Sequence, residues 1–151
     1  MNIDKYIMLF TKDINRLIEE VKSYPDDESL WKVLPGSTNS GGNLVQHLIG
    51  NIKTYICNPF GNIGYVRDRE AEFSERLFTR GELITTLEEL VITLSSSLSR
   101  IPKEAMDAAY PREILSMYPN QTIECILVHL LSHLSYHLGQ VNYQRRFFQQ
   151  S

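Results

Sequence analysis

The sequence predicts an all-α fold, a four-helix bundle with short extra helical turns in the connections. Three observations lead there. Four long segments carry apolar residues three and four apart. Stretches rich in proline, glycine and serine separate them. No run alternates apolar and polar residues for long enough to make a convincing strand. With 151 residues, the chain fits one domain, 1–151, and can bury roughly 70% of its unfolded surface without staples.

The first segment runs from Ile3 to Ser23, with Ile7, Phe10, Ile14, Leu17, Ile18 and Val21 on one face, and Pro25 ends it. "PDDESLW" then supplies one or two helical turns leading to Trp31 and Leu34, and "PGSTNSGG" is a loop. The second helix spans about Asn43 to Cys57, turning Leu44, Leu48, Ile52, Tyr55 and Ile56 one way, and "NPFGN" is expected to stop it. Glu70 to Leu77 reads as a short helix. Thr79 with Glu82 three residues on has the spacing of a capping box. The third long helix follows to about Ile101, along a stripe of Leu83, Leu87, Leu90, Leu94 and Leu98, closed by Pro102. Ala105 to Ala109 adds a turn, and Pro111 and Pro119 forbid one unbroken helix through the connection. The last helix runs from Thr122 to about Phe147.

The composition excludes several functions. A net charge of -3 and the lack of a basic stripe interleaved with aromatics argue against nucleic acid as a partner. No stretch approaches ~18 apolar residues, so no membrane span is expected. "MNIDKYIMLFTKD" lacks a basic region followed by a long apolar core, so the expected home is cytoplasmic. Cys57 and Cys125 both lie beside apolar residues and read as buried free thiols.

Chemistry concentrates in "VHLLSHLSYHLGQ", which places His129, His133 and His137 at intervals of four. With His129 at zero, His133 falls at about 40° and His137 at about 80° around the helix, while the apolar arc covers about 60° to 200°. His137 is therefore inside the arc, His133 at its edge and His129 just outside it. Imidazoles four apart share a face and can reach a single ion. Partial burial keeps each ring neutral, the form a divalent cation binds. A third ligand has to come from another helix, and His47 is the only other histidine, at the margin of the second helix's apolar stripe. Three imidazoles with an open fourth position make a catalytic or substrate-binding site, not a closed structural one. The competing reading makes each histidine a core or boundary residue with a satisfied ring, and His129 is assigned that boundary role. Gln140, near about 20° on the same wheel, is the candidate cofactor-binding residue, able to orient a ring or hold a water. Gly139, inside the helix, is expected to admit a close neighbour, either a helix or a ligand. Tyr136 and Tyr143 read as packing or rim residues.

The stretches "LWKVLPGSTNSGGNLVQHLIGNI", "GYVRDREAEF" and "LLSHLSYHLGQVNY", which run from Leu30 to Tyr143, resemble the DinB-like superfamily of bacterial metal-binding four-helix bundles. Within it, the chain looks most like a branch grouped under a domain-of-unknown-function heading. The resemblance implies a metal held by His47, His133 and His137, with nickel or zinc as the ion. It also implies a homodimer acting on a small-molecule substrate. Some relatives transfer a low-molecular-weight thiol, some isomerise a small acid with such a thiol, and others are described as hydrolases. Many relatives carry arginine directly before the glycine of the last motif, where this chain has Leu138. The expected function is a divalent-metal-dependent enzyme transferring a low-molecular-weight thiol to a small electrophile. The alternatives are a metal-dependent hydrolase of a small amide or ester, with Glu70 or Glu72 as base, and a non-enzymatic metal-binding dimeric bundle.

Overall fold

The structure is a computed structural model that describes residues 2–112 and 120–150. Helix α1 spans Ile3–Ser23, its start capped by Asn2, whose side chain accepts from the Asp4 N–H at 2.8 Å. A single turn, α2 (Asp27–Leu30), is capped by Asp26. Helix α3 covers Gly41–Ile52 and starts two residues earlier than expected, because Ser40 takes the capping position. "NPFGN" does not stop the helical path. The chain widens through a π turn at Lys53–Cys57 and continues as α4, Asn58–Gly61. Pro59 is tolerated because it lies in the first turn of α4, where a missing N–H is no loss. The path ends at Asn62, in the left-handed region at φ 52°.

Helix α5 is Arg69–Ser74, shorter than the expected Glu70 to Leu77, since Glu75 is already extended. Helix α6, Arg80–Ser99, opens with the capping box between Thr79 and Glu82. The turn expected at Ala105 to Ala109 lies earlier, as one 3-10 turn at Lys103–Ala105, while Ala109 pairs with Thr122 in an isolated antiparallel bridge. Pro119 lies outside the described residues. Helix α7, capped by Thr122, is Ile123–Gln149.

The four long helices form the expected all-helical bundle. Helix α1 packs against α6 and α7, and α3 packs against the same two, so α1 and α3 occupy opposite corners. One hydrophobic cluster joins all four. Leu83, Leu87, Leu90, Leu94 and Leu98 of α6 are buried in it, together with Phe10, Ile14 and Leu17 of α1 and Leu127, Leu130 and Leu134 of α7 among others. Each such side chain stabilises the fold by about 1.5–3 kcal/mol relative to exposure. Among the described residues, no helix is long and apolar enough to cross a membrane.

Two sequence expectations need correction. Cys57 is a buried free thiol, but Cys125 is exposed, because it falls outside the apolar arc of α7 at about 320° on the wheel. Gly139 admits no close helix among the described residues, as a Cβ built there would have open space around it.

Helix α3 differs from its neighbours. Every residue in it except Asn43 is buried. Its apolar side enters the core, and its other side is covered by α5.

Candidate metal centre

The spacing of four on α7 places His133 and His137 with ring centroids 4.5 Å apart and planes nearly perpendicular. His47 comes across from α3, 5% exposed. Its Nε2 lies 3.1 Å from His133 Nε2, and His137 Nε2 lies 3.1 Å from that same atom. The three rings offer nitrogens that all fall within 4.8 Å of one another, and this group can hold a metal ion.

Hydrogen bonding among the rings does not explain this geometry. A neutral imidazole nitrogen has one proton or one lone pair, so His133 Nε2 can satisfy only one of its two 3.1 Å neighbours. Protonating His133 or His137 is no remedy. Burial and the neighbouring rings push His133 down to about 3, and burial also holds His137 below the ordinary histidine range. A cation between the three rings removes the conflict by accepting every lone pair at once. Nitrogens bound tetrahedrally to zinc at about 2.0–2.1 Å sit roughly 3.3 Å apart, close to the two 3.1 Å separations at His133 Nε2.

The outward-facing nitrogens are held differently. His137 Nδ1 lies 2.6 Å from Gln140 Oε1, one turn further along α7. His47 Nδ1 lies 3.2 Å from Glu72 Oε1 on α5 and 3.2 Å from Arg67 Nη2. Arg67 grips both carboxylate oxygens of Glu72, through Nε to Oε2 and Nη2 to Oε1, each at 2.9 Å. Burial alone would raise the Glu72 carboxyl. The bonds from His47 and Arg67 outweigh it and hold the group below its ordinary value. A carboxylate behind a ligand histidine fixes the ring's orientation and its tautomer. The Phe73 ring packs on His47 at 4.7 Å between centroids. His133 Nδ1 is buried without a hydrogen-bond partner among the described residues.

The contact between α3 and α5 explains how Glu72 gets there. Asn43, Gln46, His47 and Gly50 recur at helical spacing along α3 and face α5. The Asn43 and Gln46 amides both donate to the Glu72 and Glu75 carbonyls, and Gln46 Oε1 accepts from the Leu77 N–H at 2.7 Å. Gly50 lets the Glu72 carboxylate lie directly on the helix, since a Cβ there would overlap Glu72 Oε2. Sequence reasoning passed over Arg67, Phe73, Asn43, Gln46 and Gly50. The available signal was the stripe of polar and small residues in "NLVQHLIG", opposite the apolar one.

The remaining candidates lie around this centre. His129 stacks on His133, at 6.4 Å between centroids, and is not part of the three-nitrogen group. Glu70 is exposed, and Glu72 has both oxygens engaged. Tyr136 and Tyr143 are 66% and 70% exposed. Beside His137, Gln140 and Gln144 of α7 and the loop 36–39 enclose a cavity of about 240 Å³.

Fold and site together define an all-helical bundle carrying a three-histidine group suited to a metal ion. The chain belongs to the family described as "Protein of unknown function (DUF1572)", whose model matches residues 3–151. No curated protein and no solved structure matches the chain.

Proposed function

We propose that the protein is a divalent-metal-dependent enzyme of the DinB-like type, transferring a low-molecular-weight thiol to a small electrophile, with nickel or zinc as its ion. The observation that carries the metal reading is the pair of 3.1 Å contacts converging on His133 Nε2, which hydrogen bonding cannot satisfy together. His47, His133 and His137 hold the ion, Glu72 and Arg67 fix the first of these rings, and Gln140 fixes the last. A divalent cation there lowers the pKa of a ligand thiol or water, supplying a nucleophile near neutral pH.

The chain's own side chains favour the thiol. Water needs a base to take its proton, and the carboxylate nearest the centre, Glu72, is committed to Arg67 and His47. A free thiol ionises near pH 8.5 and needs far less help. The cavity beside His137 supports an enzyme over a purely structural bundle, because it leaves room for part of a reactant next to one of the three rings.

The test is metal content by elemental analysis on tag-free protein. Wild type should carry roughly one equivalent and His133→Ala almost none. Near-zero metal in both defeats the reading. Thiol-dependent consumption of an aryl halide by the loaded wild type, absent in His133→Ala, then separates transfer from hydrolysis. Sizing the same preparation tests the homodimer.

A further inference from the structure

The cavity next to His137 has a polarity of its own. None of the residues that line it carries a full charge: they are Leu44, His137, Gln140, Gln144 and the loop 36–39. Gln140 and Gln144 are one helical turn apart and project from the same face of α7. Their amide orientations are set by different partners. Gln140 Oε1 accepts from His137 Nδ1 at 2.6 Å, which leaves the Gln140 NH2 group as a donor. Gln144 Nε2 donates to the Asn39 carbonyl at 3.2 Å, which leaves Gln144 Oε1 as an acceptor. That oxygen is buried without a hydrogen-bond partner among the described residues, on a side chain only 4% exposed. An unsatisfied buried acceptor is costly, and a ligand N–H removes the cost.

We propose that this cavity binds an uncharged carboxamide group of the substrate. Its carbonyl accepts from Gln140 Nε2 and its N–H donates to Gln144 Oε1, an atom closed to solvent in the empty cavity that the ligand has to uncover. This rests on the metal-centre reading only for the purpose it gives the cavity, which is to hold the non-reacting amide of a molecule whose reacting end faces the three histidines. A carboxylate or ammonium finds no counter-charge among the lining residues, and burying an unpaired charge is strongly disfavoured. At about 240 Å³ the space lies below the ~300–1,000 Å³ of sites that enclose a drug-sized ligand, so it takes one part of a small molecule.

The test is a titration with acetamide, followed through the side-chain NH2 signals of Gln140 and Gln144 by NMR, in metal-free and zinc-loaded protein. Both signals should shift and saturate in the roughly millimolar range expected of so small a ligand. Acetate and methylammonium should leave them in place in the metal-free protein. Gln144→Met, checked for an unchanged thermal melt, should weaken acetamide at least tenfold. Should that variant fail to fold, Gln140→Met is expected to give the same loss. The proposal is overturned if acetamide moves neither signal, if acetate moves both equally well in metal-free protein, or if the folded variants bind acetamide as wild type does. Because the metal-free titration is read independently, failure of zinc to bind would sink the metal centre without hiding this result. Once acetamide binding is seen, a zinc-dependent gain for N-acetylcysteamine over ethanethiol assigns the amide to the thiol. Absence of that gain assigns it to the electrophile.

Discussion

Helix α7 and helix α3 both supply the candidate centre, and they do so by different means. On α7 the rings of His133 and His137 meet because residues four apart share a face, and the hydrogen bond behind them comes from Gln140 of the same helix. On α3 a single ring, His47, is held by a separate element: α5 lies along the helix, and Glu72, itself gripped by Arg67, holds the outward nitrogen. Helix α7 needs little but its own hydrogen bonds to present two ligands. Helix α3 presents one only when a contact spanning 25 residues has formed. The difference teaches that the α3 half of the site is the part most tightly coupled to the tertiary fold, and the part a distant substitution can undo.

Glu72→Gln should break the α3 half most severely. It leaves the Arg67 guanidinium, whose side chain is 12% exposed, without its counter-charge, and removing one partner of a buried pair costs about 3–5 kcal/mol. Metal affinity should fall by about 10–100-fold. Gln140→Ala, the matching lesion on α7, should lower stability by no more than about 1 kcal/mol, so denaturant melts and zinc titrations of the pair measure the asymmetry directly. Equal losses would erase it. Gly50→Ala is expected to come next, because the new methyl group overlaps the Glu72 carboxylate. The strain should reach about 1–3 kcal/mol, with zinc binding weakened although no ligand has changed.

Acid should sharpen the same contrast in the metal-free protein. His133 stays neutral in the folded state down to about pH 3, whereas its unfolded counterpart takes a proton near 6.5. Below about 6.5 the unfolded state therefore binds the extra proton, and stability falls steadily as pH drops towards 3. His137, also lowered, acts in the same sense. Glu72 adds stability above its unfolded value that is lost as pH falls through its lower folded one. Melting curves across pH should show the upper part of this slope flattened by His133→Ala and the lowest part by Glu72→Gln. The smallest effect is expected at Gly139→Ala on α7, where a Cβ has open space. It should stabilise the protein by about 0.5–1 kcal/mol, since alanine is the better helix former.

Much of the architecture was legible beforehand. The stripe of Leu83, Leu87, Leu90, Leu94 and Leu98 is buried as its period predicts, and the Thr79–Glu82 capping box is present. Helix ends were less legible where a terminator was read alone. "NPFGN" contains both proline and glycine, yet the chain passes through it in a helical path because a π turn shifts the proline into the first turn of a new helix. The second buried side of α3 was not legible either, because only the docking of α5 turns Asn43, Gln46 and Gly50 into interface residues.

The sequence by itself determined the four amphipathic helices, the capping box of α6 and the shared face of His133 and His137, because periodicity and capping act within a few residues. The tertiary structure alone decided that His47 reaches a nitrogen 86 positions away, that Glu72 lies against the outward nitrogen of that ring, and that Arg67 belongs to the site. Those contacts depend on which helix corners adjoin and on which loop lies across them, and the physics that settles this is packing of the whole core, to which no local pattern is a guide.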